Sequence, residues 1–369
     1  MEALLWLKMN LPYLLLVCFS IGLTIMLHEF GHFIAARRAG ITVYEFSVGF
    51  GPKIWQKKYD DTIYTVRLFP MGGFVNIKGL DEPDDDPNTP NSYQNTNVWQ
   101  KMSVVFYGPL FNYIGALILF WFVGLFFGIG QFGVDVSSQL AEVLPNKPAA
   151  IAGVKKFDTV LSVNGKTVKD GKEMVRAINA LPNKEITLKI LRGKQEQYIK
   201  VKSYVGDKGQ GLIGIRPALL LNMNFVKAPL GKTLLWGLEE IWRYTIAPIM
   251  IVVSLLNRDI SPSMVGEGIM GPIGIGQLLF EVSKKGIPCL LLLSAVVSVA
   301  LGITNLLPIP ALDGMRLLLL LIGGIRGRQF DPKKEAMVHT VGFYALMVIF
   351  VLLTKQDIER IVRGQIFFK

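Results

Sequence analysis

Histidine is scarce in this chain, with three among 369 residues. Cysteine is scarcer still: Cys18 and Cys289 are the two, each inside a separate apolar run. No disulfide framework follows from them, and both read as small core or lipid-facing residues rather than metal or redox groups. Charge is thin, at 18% of residues, against roughly 25% in soluble domains. Zinc-finger spacing and aromatic-basic recognition motifs are lacking, so nucleic acid is excluded as a partner despite a formal net charge of +11. The run from Leu11 to Leu27 has no positive flank beyond Lys8 and no small-residue cleavage site before His28. It therefore reads as a retained span, not a cleaved signal.

Apolar sequence is abundant: 51% of residues are hydrophobic and the mean hydropathy is +0.41. The excess collects in four stretches long enough to cross a hydrocarbon layer of roughly 30 Å. They run from Leu11 into Ala36, from Val104 to Ile129, from Pro288 past a proline-broken segment to Ile322, and from Val338 to Leu353. The expected architecture is a polytopic α-helical membrane protein of about four transmembrane helices, with membrane-associated β-hairpins and one inserted α+β domain. The spans are assigned to 1–36, 104–130, 286–324 and 337–354.

Between the first two spans, 37–103 is a hairpin and loop region. Thr62 to Leu68 alternates β-formers with other residues, and Gly72 to Gly79 follows as a second strand signal. Asp81 to Asn97, acidic and rich in proline and asparagine, reads as a loop. Residues 131–217 are polar, with strand signals at Asp158 to Gly165 and a hairpin around Arg192-Gly193-Lys194. Residues 218–285 form a linker with an ambiguous helix. Leu230 to Leu256 is read either as an interfacial amphipathic helix or as a fifth crossing, and its polar side (Glu239, Glu240, Arg243) favours the former. A basic loop (325–336) and a tail (355–369) complete the chain.

Basic flanks indicate topology and contact with anionic lipid. Arg37 and Arg38 put the end of the first span in the cytoplasm, and Arg326, Arg328, Lys333 and Lys334 put the 325–336 loop there too. Four spans then leave the inserted domain extracytoplasmic and the first histidine pair near the cytoplasmic side.

That pair lies in His28-Glu29-Phe30-Gly31-His32. On a helix, positions i and i+4 share a face, so both imidazoles can reach one Zn²⁺ at about 2.0–2.1 Å. Glu29 is placed to take a proton from water activated there. A chance match is the competing reading, but three polar residues inside an apolar run each need a partner or a task. Two histidines leave a catalytic zinc short of its usual three protein ligands. Asp313 is the strongest further candidate. It follows Asn305 to Leu312, where two prolines interrupt the helix, and irregular backbone at membrane depth survives only around a cavity or within protein. A turn aspartate in a cytoplasmic loop is the alternative. His339, beside the basic loop, reads as an interfacial or structural histidine rather than a ligand.

His28 to His32 in the first span and Asn305 to Gly314 in a later one resemble the site-2 protease family of intramembrane metalloproteases. Gly108-Pro109-Leu110-Phe111-Asn112, Phe46 to Gly51, Pro70 to Phe74 and Gly271 to Ile275 are similar to further segments of that family, in the same order. The 131–217 insert resembles a PDZ domain through Pro148 to Gly153 and Asp158 to Gly165. This chain has room for one such domain where some relatives carry two.

The resemblance implies one Zn²⁺ per chain held by His28, His32 and Asp313, with Glu29 as general base and Asn305 orienting the substrate or stabilising the oxyanion. It implies single-pass transmembrane substrates, such as anti-sigma factors or signal-peptide remnants, usually cut first by a separate site-1 protease, and a bacterial inner (plasma) membrane location. A transmembrane helix must unwind before attack. The edge of Gly73, Phe74, Val75, Asn76, Ile77, Lys78 and Gly79 is the candidate to capture its extended form; a hairpin that only packs on the membrane is the equal alternative. A non-catalytic zinc scaffold and a metal transporter are the competing classes. Glu29 speaks against the first, and concentration of the ionisable groups at one site speaks against the second.

Overall fold

The computed structural model describes residues 2–80, 89–206, 209–258 and 269–362. The chain divides into two compact units, one of residues 1–130 and 225–355 and one of residues 131–224 and 356–369. Four helices of the described residues are long and apolar enough to cross a membrane, within Lys8–Arg38, Val98–Phe126, Ile287–Leu306 and Pro332–Val362.

The first unit opens with α1 (Glu2–Arg38), which continues through Pro12 and ends on Arg37 and Arg38. One stripe of this helix is polar yet buried: Ser20, Thr24, His28 and His32. Their spacing of four residues keeps them on one face. Two long strands follow, β1 (Val43–Tyr59) and β2 (Thr62–Ile77), paired antiparallel with several register shifts. Phe46 is paired both with Tyr64 and with Val75, so the first part of β1 is flanked by two parts of β2. The 73–77 part has β1 on one side, and Lys78 to Leu80 form a turn. The expected capture edge therefore ends at Ile77, with Lys78 and Gly79 turning away.

Helix α2 (Val98–Phe126) begins six residues before the span expected at Val104. Its start is fixed by a capping box in which Asn97 and Gln100 each bond the other's backbone N–H. Pro109 consequently lies inside the helix rather than opening it. The acidic loop expected at 81–97 lies partly outside the described residues, at 81–88; Tyr93–Asn95 form one 3-10 turn.

Helix α5 is counted after the two short helices of the second unit. It spans Leu230–Leu256 and buries Thr233, Trp236, Gly237 and Glu240. This face packs on α2, where Phe120 meets Trp236 and Tyr244, and Trp121 Nε1 donates to the Leu234 carbonyl. Next come α6 (Pro272–Ser283), α7 (Ile287–Leu306) and α8 (Asp313–Ile325). The single proline-broken segment expected at 286–324 is thus two helices joined by 307–312. Helix α9 (Pro332–Val362) extends beyond the 337–354 expected for the last span. A core of Ala35, Ala36, Ile41, Val43, Val75, Ile77, Val104, Val105 and Leu320 ties the end of α1 to the strands, α2 and α8.

The second unit is entered by β3 (Ile129–Val143) and left by β10 (Ile215–Val226). Between them lie α3 (Pro148–Ile151), β4 (Thr159–Val163), β5 (Lys166–Thr167), α4 (Gly171–Asn179), β6 (Glu185–Arg192), β7 (Gln195–Lys202), β8 (Tyr204–Val205) and β9 (Gly211–Leu212). The main sheet runs β10-β3-β4-β6-β7, with β5 on β4. Strand β6 alternates as a half-buried strand should, sending Ile186, Leu188 and Ile190 into the core. Each such buried side chain contributes about 1.5–3 kcal/mol of hydrophobic stabilisation. Asp158 is 1% exposed and is held by both arms of Arg192, at 2.8 and 2.7 Å, and by the Lys155 N–H.

Candidate metal centre and active site

His28 and His32 lie one turn apart on α1, and α2 crosses against that turn. A Cβ on Gly31 would stand 2.1 Å from the Tyr107 carbonyl oxygen, and one on Gly108 would stand 2.3 Å from His32 Nε2. Both positions need glycine for the helices to approach this closely. The far nitrogen of each imidazole is then engaged by α2. His32 Nδ1 is 2.8 Å from the Val104 carbonyl. A carbonyl only accepts, so Nδ1 carries the proton and Nε2 keeps its lone pair.

His28 Nδ1 lies 3.0 Å from the side-chain amide nitrogen of the fully buried Asn112. Oδ1 of that amide has no hydrogen-bond partner among the described residues. Turned over, the amide would accept from His28 Nδ1–H, satisfy its oxygen and leave Nε2 as a lone pair. The Asn112 backbone is held in turn by Ser298 of α7, whose hydroxyl donates to its carbonyl at 2.9 Å.

The third atom comes from α8. Asp313 Oδ2 is 3.2 Å from His28 Nε2 and 3.4 Å from His32 Nε2, and the two Nε2 atoms are 3.1 Å apart. Three lone-pair atoms facing one another repel unless a cation or proton lies among them. Tetrahedral ligands on bonds of about 2.0–2.1 Å stand about 3.3 Å apart, so the donor set fits a zinc ion. One anion and two neutral imidazoles also suit a divalent cation within apolar helices.

Glu29 lines the same cavity of about 240 Å³ as these three residues, together with Val75, Leu80, Val105, Asn305, Ala311, Leu312 and Arg316. Its Oε2 accepts the Val75 backbone N–H at 3.1 Å. That bond leaves β2 on the side away from β1, while the Lys78 N–H turns the other way, to the Thr42 carbonyl at 3.0 Å. Backbone groups alternate along a strand, so Gly73 is expected to direct its groups to the same side as Val75, and Phe74 and Asn76 theirs to β1, while the Ile77 carbonyl accepts the Leu80 N–H at 3.2 Å in the turn that follows. Arg67 braces the same hairpin. It donates to Ser47 Oγ at 2.8 Å, the Gly51 carbonyl at 3.1 Å and Glu45 Oε1 at 2.9 Å, and it lies over the Phe74 ring.

The structure thus brings together His28, Glu29, His32, Asn305 and Asp313, with Val75 of the expected edge beside them. Sequence reasoning assigned no task to Asn112, although its motif had been noticed, and it did not anticipate Arg67, Arg316 or the contact between Val75 and Glu29. His339 is not among the converging atoms; its Nδ1 accepts the Ala311 N–H at 3.1 Å.

With this geometry in view, comparisons with known proteins agree on one family. The sequence pattern of Peptidase family M50 matches residues 16–349. The zinc metalloprotease RasP of Geobacillus kaustophilus is 29% identical, over 92% of this chain and 96% of its own. The regulator of sigma-W protease RasP of Bacillus subtilis is 28% identical, over the same shares, 92% and 96%. Among solved structures, the PDZ domain of an SdrC-like protein from Listeria innocua is 22% identical over 22% of this chain and 92% of its own, with a TM-score of 0.20.

Proposed function

The chain belongs to peptidase family M50 and is a zinc metalloprotease, and we propose that it cuts within the transmembrane segments of single-pass membrane proteins. Convergence of three lone-pair atoms beside a carboxylate, among helices of membrane-spanning character, is the observation that carries this reading. His28, His32 and Asp313 would hold one zinc ion. When bound, zinc supplies a Lewis acid for the scissile carbonyl and brings the pKa of water near 7.

Glu29 takes the proton from the attacking water and delivers it to the leaving amine. The Val75 N–H fixes its carboxylate in the cavity. Asn305, in the last turn of α7 and on the cavity wall, offers a carboxamide to orient the substrate carbonyl or the developing oxyanion. A substrate unwound from its helix needs new partners for its backbone. The outward groups of Gly73 and Val75 would supply them by strand addition, alongside the base.

The B. subtilis relative's name ties that protein to sigma-W regulation. By analogy, membrane anti-sigma factors are the substrate class we assign here, after a first cut by another protease. The second unit, which we read as a PDZ-like domain, would lie outside the bacterial plasma membrane and bind or exclude substrate ends, with the zinc site toward the cytoplasm.

The test is metal removal from the full chain in lipid nanodiscs with a single-span substrate. Chelation should abolish cleavage, and stoichiometric zinc, near one ion per chain, should restore it. Persistent cleavage by chelator-treated, zinc-free protein would exclude the reading.

A further inference from the structure

Ala311 has a backbone φ of +77°, the value that the third residue of a type II turn takes: Pro310 precedes it, and the Leu312 N–H closes the turn on the Ile309 carbonyl at 3.0 Å. It stands two residues before Asp313 and lines the same cavity. Helix α9 packs against this turn. The His339 imidazole accepts the Ala311 N–H through Nδ1 at 3.1 Å, one turn above the contact between Gly342 and Pro310. A Cβ on Gly342 would stand 2.3 Å from Pro310 Cβ, so the helix lies directly against the loop.

The rest of α9 is largely exposed, as a lipid-facing span would be: Met337, Val338, Val341, Phe343, Tyr344, Met347 and Val348 all point outward. Between 335 and 346 the covered positions are Glu335, Ala336, His339, Gly342 and Leu346, of which Glu335, His339, Gly342 and Leu346 are spaced three and four apart along one face. Glu335 is in electrostatic reach of Arg316 and Lys101, and Arg316 is on the cavity wall. Successive turns of one face of α9 therefore address the segment from Pro310 to Arg316 that carries the aspartate.

We propose that His339 is a positioning residue for the metal centre: by accepting the Ala311 N–H, it anchors the 307–312 connection so that Asp313 completes the set begun by His28 and His32. The inference rests on the metal-site reading of Asp313. It gives the fourth span a task beyond crossing the bilayer, since it clamps the ligand loop that α7 and α8 leave irregular.

The experiment uses the full chain in nanodiscs. Amide exchange at Ala311 is measured on metal-free protein, so its outcome does not depend on metal binding. Zinc affinity is measured separately by chelator competition. Asparagine can place its carbonyl oxygen where Nδ1 stands, whereas leucine keeps bulk and loses the acceptor. His339→Leu should speed Ala311 exchange at least tenfold and weaken zinc binding about ten- to a hundredfold, the usual range for losing an outer-shell partner. His339→Asn should stay within about threefold of wild type on that same scale. In an Asp313→Ala background, His339→Leu should weaken zinc no further.

Unchanged exchange in His339→Leu overturns the clamp. Faster exchange with unchanged zinc affinity overturns positioning while leaving the protease reading intact, as does an equal loss in the Asp313→Ala background. Should His339→Leu fail to fold, His339→Asn against His339→Gln decides. Glutamine sets its oxygen near Nε2, so equal zinc affinity in both variants would contradict the proposal.

Discussion

His28 and His32 share a motif but differ in what holds the back of each ring. A backbone carbonyl holds His32, and mutation cannot remove it. A side chain, Asn112, holds His28, so that contact is open to test. Replacing Asn112 with alanine should weaken zinc binding about ten- to a hundredfold. Asn112→Asp should retain it, because a carboxylate also accepts from Nδ1–H. Chelator competition on the two folded variants reads the difference, and equal loss in both would remove the role assigned to the amide. The motif His28-Glu29-Phe30-Gly31-His32 was legible because helical spacing alone aims both rings the same way. Nothing local to Asn112 reveals that it reaches an imidazole 84 positions earlier. A polar residue at the centre of an apolar run was nevertheless a signal that it had a buried partner.

Helices and strands were legible to different degrees. Hydropathy located the four long helices but misplaced the start of α2, because Trp99, Gln100 and Lys101 lower the average while Asn97 and Gln100 form the capping box that starts the helix. Reading that box would have moved the boundary. The break between α7 and α8 could be seen in Pro308 and Pro310, but the contact of the 309–312 turn with His339 could not, since it joins residues 28 positions apart. The capture edge was placed on Gly73 to Gly79 by composition, yet which of its groups face the carboxylate depends on register with β1.

At this scale, Asn76→Pro removes an N–H directed at β1 and should loosen the edge strand from its sheet. Cleavage of helical substrates should fall while zinc remains bound. A folded, zinc-loaded Asn76→Pro chain that cleaves such substrates at the wild-type rate would rule out strand capture. Close crossing of α1 and α2 makes a parallel claim. Gly108→Ala puts a methyl group where His32 Nε2 stands, so zinc affinity should drop at least tenfold, in keeping with the loss of an oriented ligand. Wild-type affinity in that variant would contradict the crossing described.

For the molecule as a whole, the charge pattern makes a statement about sides of the membrane. Arg37 and Arg38 close α1, Arg326 and Arg328 lie between α8 and α9, and Lys333 and Lys334 fall in the first turn of α9; by the positive-inside rule both groups would lie in the cytoplasm. On that proposed topology the second unit, between α2 and α5 in sequence, would face outward. In a chain with Cys18 and Cys289 replaced by alanine, Lys194→Cys should react with an impermeant maleimide on intact cells, and Arg328→Cys should react only after permeabilisation. The reverse pattern would invert the topology and place the zinc site on the outer side.

The central claim is that Glu29 is the base of a zinc protease, and a comparison of wild type with Glu29→Gln, both purified as full chains, tests it most directly. Bound zinc and cleavage of a single-span substrate are measured in parallel. The account predicts near one zinc per chain in both proteins and a loss of cleavage in the variant, because glutamine keeps the acceptor for Val75 N–H but cannot take up the water proton. A zinc-loaded Glu29→Gln chain that cleaves like wild type would contradict it.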